Sequence, residues 1–167
     1  IALKRLQDSG EWTVPVMIDV LRDPDRKEEY ADVQWALAQI GRPAVNPLVT
    51  ALQGTDDLNL KLVILESLAK IGYEQALPYM QEISEIADAP QSLKNAAAAA
   101  METITRGQTM AGASAAERFE RLAQHFYNQE PSLAVPENQE LATVWFWNSE
   151  QGLIYEQTPP GAFDELM

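Results

Sequence analysis

ALAQIGRPAVNPL, residues 36–48, returns thirty-one residues later as SLAKIGYEQALPY, residues 67–79. At this offset Val33 pairs with Ile64, Leu37 with Leu68, Ala38 with Ala69, Ile40 with Ile71, Gly41 with Gly72 and Pro47 with Pro78. Positions 33, 36, 37 and 40, and again 64, 67, 68 and 71, follow the i, i+3, i+4, i+7 spacing of one helical face. Each phrase then meets a glycine, which tolerates the left-handed conformation just past a helix end. Six residues on stands a proline, suited to the first turn of a new helix, where its missing N–H has no intrahelical partner anyway. Asn46, just before Pro47, is the expected N-cap of that second helix. The unit is helix, glycine stop, short loop, proline start, second helix.

Weaker copies flank it. ALKRLQDSGEWTVPVMIDVL (2–21) supplies a helix, Gly10 and a start at Pro15. SLKNAAAAAMETITRG (92–107) supplies another first helix, with Leu93, Ala97, Ala100, Met101 and Ile104 on its stripe. Counted from their prolines, the second helices align Val16 with Leu48 and Tyr79, Met17 with Val49 and Met80, and Val20 with Leu52 and Ile83. A helix pair this small cannot bury its stripe alone, so successive copies must stack into one core. The expected fold is all-α: an α-solenoid of about three and a half short helix pairs over residues 1–106. A connector at 107–113 and a C-terminal helix plus β-hairpin over 114–167 follow.

ADVQWALAQIGRPAVNPLVTAL and LNLKLVILESLAKIGYEQALPYMQEI resemble HEAT repeats, in particular the short variety also called PBS-lyase HEAT-like. The resemblance covers roughly residues 1–106. The basic residue common early in that family's first helix is matched by Lys61 alone. The resemblance implies an armadillo-like α-α superhelix whose second helices line the concave side. Positions +3, +4 and +7 from each proline would then face away from the core: Ile18, Asp19 and Arg22; Thr50 and Ala51; Gln81, Glu82 and Glu85. Such a ridge, mixed at one end and acidic at the other, suits a protein or peptide partner of polar or basic character, or another domain of the same chain; a solvated face with no partner is the alternative. The implied role is a non-catalytic, bacterial-type scaffold, or a purely structural segment joining domains. Some short-HEAT proteins attach or detach bilin chromophores, which is the enzymatic alternative.

Composition narrows the classes. The 167 residues carry a net charge of −13 and no cysteine, which excludes disulfides, thiolate metal clusters and cysteine nucleophiles and fits a cytoplasmic setting. No lysine or arginine follows Arg121, whereas Glu130, Glu137, Glu140, Glu150, Glu156, Asp164 and Glu165 do. An acidic surface repels phosphate backbones, so nucleic acid is not an expected partner. No apolar run approaches the roughly 20 residues of a membrane span. The chain begins at Ile1 and ends within AFDELM, which reads as a segment of a longer protein.

TRGQTMAGAS (105–114) echoes a phosphate-binding loop at Gly107 and Gly112, but the lysine position holds an alanine and a helix precedes it, so it reads as a linker. Ser114 and Glu117 form a predicted capping box. The helix they open runs to about Gln129, with a stripe of Ala115, Phe119, Leu122, Ala123 and Phe126. TVWFWNSEQGLIYEQTPP has a period of two, predicting a hairpin of about 143–148 and 153–157. One face would carry Thr143, Trp145 and Trp147, the other Val144 and Phe146. Being unstable alone, the hairpin must dock on the last helices, on further chain or on a partner, as an apolar plug or as a groove lined by Trp145 and Trp147. His125, the single histidine, lies near Arg118 and Arg121 on the polar side and lacks the companions of a metal or nucleophile site. Acid pairs at Asp23 with Asp25, Glu28 with Glu29, and Asp56 with Asp57 fit helix starts. Trp35 stands off the stripe, either against the preceding repeat or in solvent. No cofactor or metal is expected.

Overall fold

The computed structural model describes residues 8–107, 112–130, 133 and 140–166. The first helix of the opening copy and the centre of the 107–113 connector lie outside them. Among the described residues eight α-helices and one hairpin follow in order: α1 (Val14–Arg22), α2 (Tyr30–Ile40), α3 (Val45–Gly54), α4 (Leu58–Ile71), α5 (Leu77–Glu85), α6 (Gln91–Thr105), α7 (Ala115–Tyr127), β1 (Ala142–Asn148), β2 (Gly152–Thr158) and α8 (Pro160–Leu166). The pairs α2/α3 and α4/α5 are the repeated phrases; α1 is a second helix and α6 a first helix. α2, α4 and α6 lie side by side, with α3 packed on α4 and α5 on α6.

Gly41 and Gly72 end the first helices as their spacing predicts, with φ of 73° and 78° and N–H bonds to Leu37 O (3.2 Å) and Leu68 O (2.9 Å). Both loops then tighten into a 3-10 turn, Arg42–Ala44 or Glu74–Ala76, before the second helix. That turn corrects the expected role of Asn46. Because the chain is already helical at Val45, Asn46 lies inside α3 and caps nothing. Its side-chain oxygen instead accepts a bond from Gln75 Nε2, tying the first turn of α3 to the inter-helix loop of the next repeat. Pro15, Pro47 and Pro78 all fall in the first turn of their helices, where a free N–H is not needed. Acidic caps appear as expected: Asp57 accepts from Asn59 and Leu60 N–H (2.8 and 3.2 Å), and Asp23 from Asp25 N–H (2.9 Å).

The predicted stripes form one continuous core, in which Leu37, Leu48, Leu60, Ile64, Leu68 and Met80 are fully buried. The α6 stripe is buried at Leu93, Ala97, Ala100 and Ile104 and half-buried at Met101. Two positions depart. Val16 is 66% exposed where its counterpart Leu48 is buried. Gln34 occupies the buried face of α2 and bridges repeats: its Nε2 donates to Glu66 (2.9 Å) and its Oε1 accepts from Lys70 (3.3 Å), while Lys70 and Glu66 pair at 3.0 Å. Lys70 first, and Gln34 second, hold the Glu66 carboxyl below the usual carboxylate range. Trp35 is 55% exposed, which settles its position as solvent-facing.

The capping box forms, Ser114 N–H to Glu117 Oε2 (2.8 Å) and Glu117 N–H to Ser114 Oγ (3.3 Å). The α7 stripe is rotated from the expected one: Ala115, Arg118 and Phe126 are buried and Ala123 is exposed. The hairpin matches its predicted limits to one residue at each end. Trp145 faces Tyr155, Trp147 faces Leu153, and the pairing ends at Asn148–Gly152. Asn148 Oδ1 accepts from Glu150 and Gln151 N–H (both 2.9 Å), and Gly152 takes φ of 78°, so a three-residue loop closes with the left-handed residue it needs.

Candidate functional site

The hairpin's seat corrects the expected one. Its tryptophan face docks on α1 and α3, the second helices of the first two repeats, and only its other face reaches the last helices. Trp145 and Leu153 join the main core. Trp145 is 6% exposed, donates Nε1–H to Glu11 Oε2 (3.0 Å), and meets Trp12 and Tyr155 at ring-centroid separations of 6.3 and 5.4 Å. Burial pushes the Glu11 carboxyl above the usual carboxylate range, and bonds from the Trp145 and Thr143 side chains oppose that rise. Trp147 is half-buried, lies under the Arg22 guanidinium at 5.3 Å, and covers Gly54 so closely that a Cβ there would overlap its own Cβ and Cγ. Gly152 leaves room for the Arg22 tip beside Asp19. The opposite face of the hairpin closes a smaller core in which Ala142 and Val144 meet Phe126 of α7 and Phe163 of α8.

The ridge expected on the concave side is therefore divided. Ile18 and Ala51, expected to face outward, are fully buried. Asp19 pairs with Arg22 (3.7 Å) at the edge of the hairpin, and the half-buried Thr50 returns its hydroxyl to Asn46 O (3.0 Å). On α5 the ridge keeps its polar character: Gln53 Nε2 donates to Glu82 (3.2 Å) and Gln81 Nε2 to Glu85 (2.9 Å). Glu85 also accepts the Ala115 N–H (2.9 Å), fastening the start of α7 to the end of α5. Tyr79 meets Phe119 of α7 edge-on at 4.9 Å. Burial, with the Glu82 charge second, raises the Tyr79 hydroxyl pKa.

Below that contact, between α7 and the Gly72–Pro78 loop, opens a groove of about 440 Å³. Arg118, Arg121 and His125 line one wall, and Leu77 and Pro78 the other. His125 faces Glu130 at 3.4 Å. The grouping of His125 with the two arginines was legible from helical spacing; the burial of Arg118 was not, because an arginine at i+3 from Ala115 reads as a polar face. Among the described residues no cluster of three or more His, Asp or Glu could hold a metal ion, and no helix is long and apolar enough to cross a membrane.

Stacked pairs of short helices with glycine stops and proline starts define the class as an α-solenoid. The sequence model for HEAT repeats matches residues 14–102, more than half of the chain. The chain belongs to the HEAT-repeat family. That match is to HEAT repeats in general and does not single out the short PBS-lyase-like variety. No curated protein and no solved structure gives a match.

Proposed function

We propose that this HEAT-repeat chain is a non-catalytic scaffold that holds a protein or peptide segment of basic character against the third repeat. HEAT repeats in general serve as protein-interaction scaffolds, and the observation that carries the reading is the division of the concave ridge. Over α1 and α3 that surface already grips a peptide element, the chain's own hairpin, by burying alternate side chains. Over α5 the same ridge presents half-buried Gln81 and Glu82 and exposed Glu85. Exposed carboxylates on a chain of net charge −13 attract cationic segments, and the attraction weakens with salt. The experiment is a titration of the full chain with a lysine-rich peptide. Charge reversal of Glu82 and Glu85 to lysine should weaken binding about tenfold or more for two lost charge contacts, with the helical circular-dichroism signal unchanged. Binding that survives the reversal would remove the α5 ridge as the site.

A second reading, a structural segment that joins neighbouring domains, is favoured by the hairpin and α7 covering so much of the ridge. Absence of saturable binding of basic or neutral peptides to the wild-type chain is the outcome it expects.

A further inference from the structure

We infer that the groove between α7 and the Gly72–Pro78 loop is a binding site for a peptide carboxylate, with Arg118 as the residue that receives it. Arg118 is only 9% exposed, yet its Nε is buried without a hydrogen-bond partner, and no carboxylate of the described residues forms an ion pair with it. Burying a guanidinium donor with no acceptor is costly, and folded chains avoid it unless an acceptor arrives from elsewhere. The neighbouring charges do not supply one: His125 engages Glu130 (3.4 Å), and Arg118 lines a groove that opens to solvent.

The groove and the unpartnered donor together select the ligand. The free Nε–H, with the Nη–H beside it, is the edge of a guanidinium that grips a planar carboxylate through two parallel bonds. Glu74 and Glu130 also line the groove, and two carboxylates disfavour a dianionic phosphate more than a monoanionic carboxylate. Leu77, Pro78, Leu122 and Leu133 give the walls apolar surface for residues on either side of the acidic one. A volume of about 440 Å³ falls within the range of ordinary ligand sites and accommodates a few side chains. The ligand is thus an acidic residue, or a chain end, flanked by apolar residues. This site is separate from the α5 ridge and opposite in charge preference, so loss of one leaves the other standing.

The test is a titration of the full chain, followed by amide NMR shifts, with acetyl-Leu-Glu-Leu-amide, its glutamine analogue, acetyl-Leu-Leu-Leu with a free carboxyl end, and inorganic phosphate. Saturable shifts at Gly72, Tyr73 and Leu122 with the glutamate peptide, at least about tenfold weaker with the glutamine analogue, are expected from the loss of a charge-assisted pair. Tighter binding of the free-carboxyl peptide would support the site and assign the carboxylate to a chain end. Tighter binding of phosphate would overturn the carboxylate assignment, and absence of saturable shifts with any carboxylate would overturn the site. Arg118→Met should abolish the shifts without lowering the melting midpoint, since it removes an unpaired buried donor and keeps the stem. Should Arg118→Met not fold, Arg118→Lys retains the charge but lacks the Nε–H; unchanged affinity in that variant would overturn the role of Arg118.

Discussion

Across the first two repeats the face of the second helices is dry: α1 and α3 bury Ile18 and Ala51 in one core with Trp145, Trp147 and Leu153, and a glycine at 54 makes room for an indole. On the third repeat the corresponding face is wet, with Gln81 bonded to Glu85, Glu82 to Gln53, and Glu85 also to the start of α7. The helices come from copies of one phrase, so the backbone is not what differs. The letters at the variable positions decide. Small and apolar residues admit a strand, whereas carboxylates repel one and stay available to cations. A repeat protein can thus assign opposite tasks to neighbouring units without changing its framework.

The largest break in this comparison comes from the indole that fills the dry half. Trp145→Ala should cost roughly 3–5 kcal/mol, measured by urea denaturation, with the first repeats and the hairpin lost in one transition. A main transition left unmoved would mean that the hairpin is an appendage and the dry half is not part of the core. Leu68→Ala, in the core shared by both halves, should cost roughly 2–5 kcal/mol; an unchanged midpoint would contradict the buried stripe. Gly54→Ala is milder in chemistry and sharper in logic. Its helical backbone accepts alanine, but the new Cβ must displace Trp147, so a loss of roughly 1–3 kcal/mol is expected despite the better helix former. A stabilised variant would show that Trp147 does not sit over α3.

The smallest effect is in pH. Burial raises Glu11, so the folded chain keeps that proton to higher pH than the unfolded chain does. Its contribution therefore falls as pH climbs from the ordinary carboxylate value through the raised one, and is constant above. Glu66, lowered by Lys70 and Gln34, has the opposite sign: its contribution is present above the ordinary value and fades as pH falls through the lowered one. Glu11→Gln removes the first dependence alone. Wild type minus variant should slope downward with rising pH in that window, and a flat difference would mean that Glu11 is solvated.

Local chemistry was legible in the sequence. The α2 and α4 stripes, both glycine stops, the Ser114–Glu117 box and the two faces of the hairpin all rest on residues within a few positions of one another. What escaped depended on distance along the chain. Trp145 reaches Glu11 across 134 positions, and nothing in WFWN states which helices will receive it. Asn46 was misread because a 3-10 turn moved the helix start forward by two residues. Arg118 was misread because a cation three residues from Ala115 looks solvated until α7 is packed against α5.

The bond from Trp145 to Glu11 has a further consequence for how the molecule comes apart. An open solenoid is a line of units, each sensing only its neighbours, and it can fray from either end. Here the hairpin, which follows all the repeats in the chain, clasps Glu11 just ahead of α1, so among the described residues the first repeats are tied to an element made more than a hundred positions later. Loosening the hairpin then weakens the first repeats as well, so these two distant parts of the chain come apart together rather than singly.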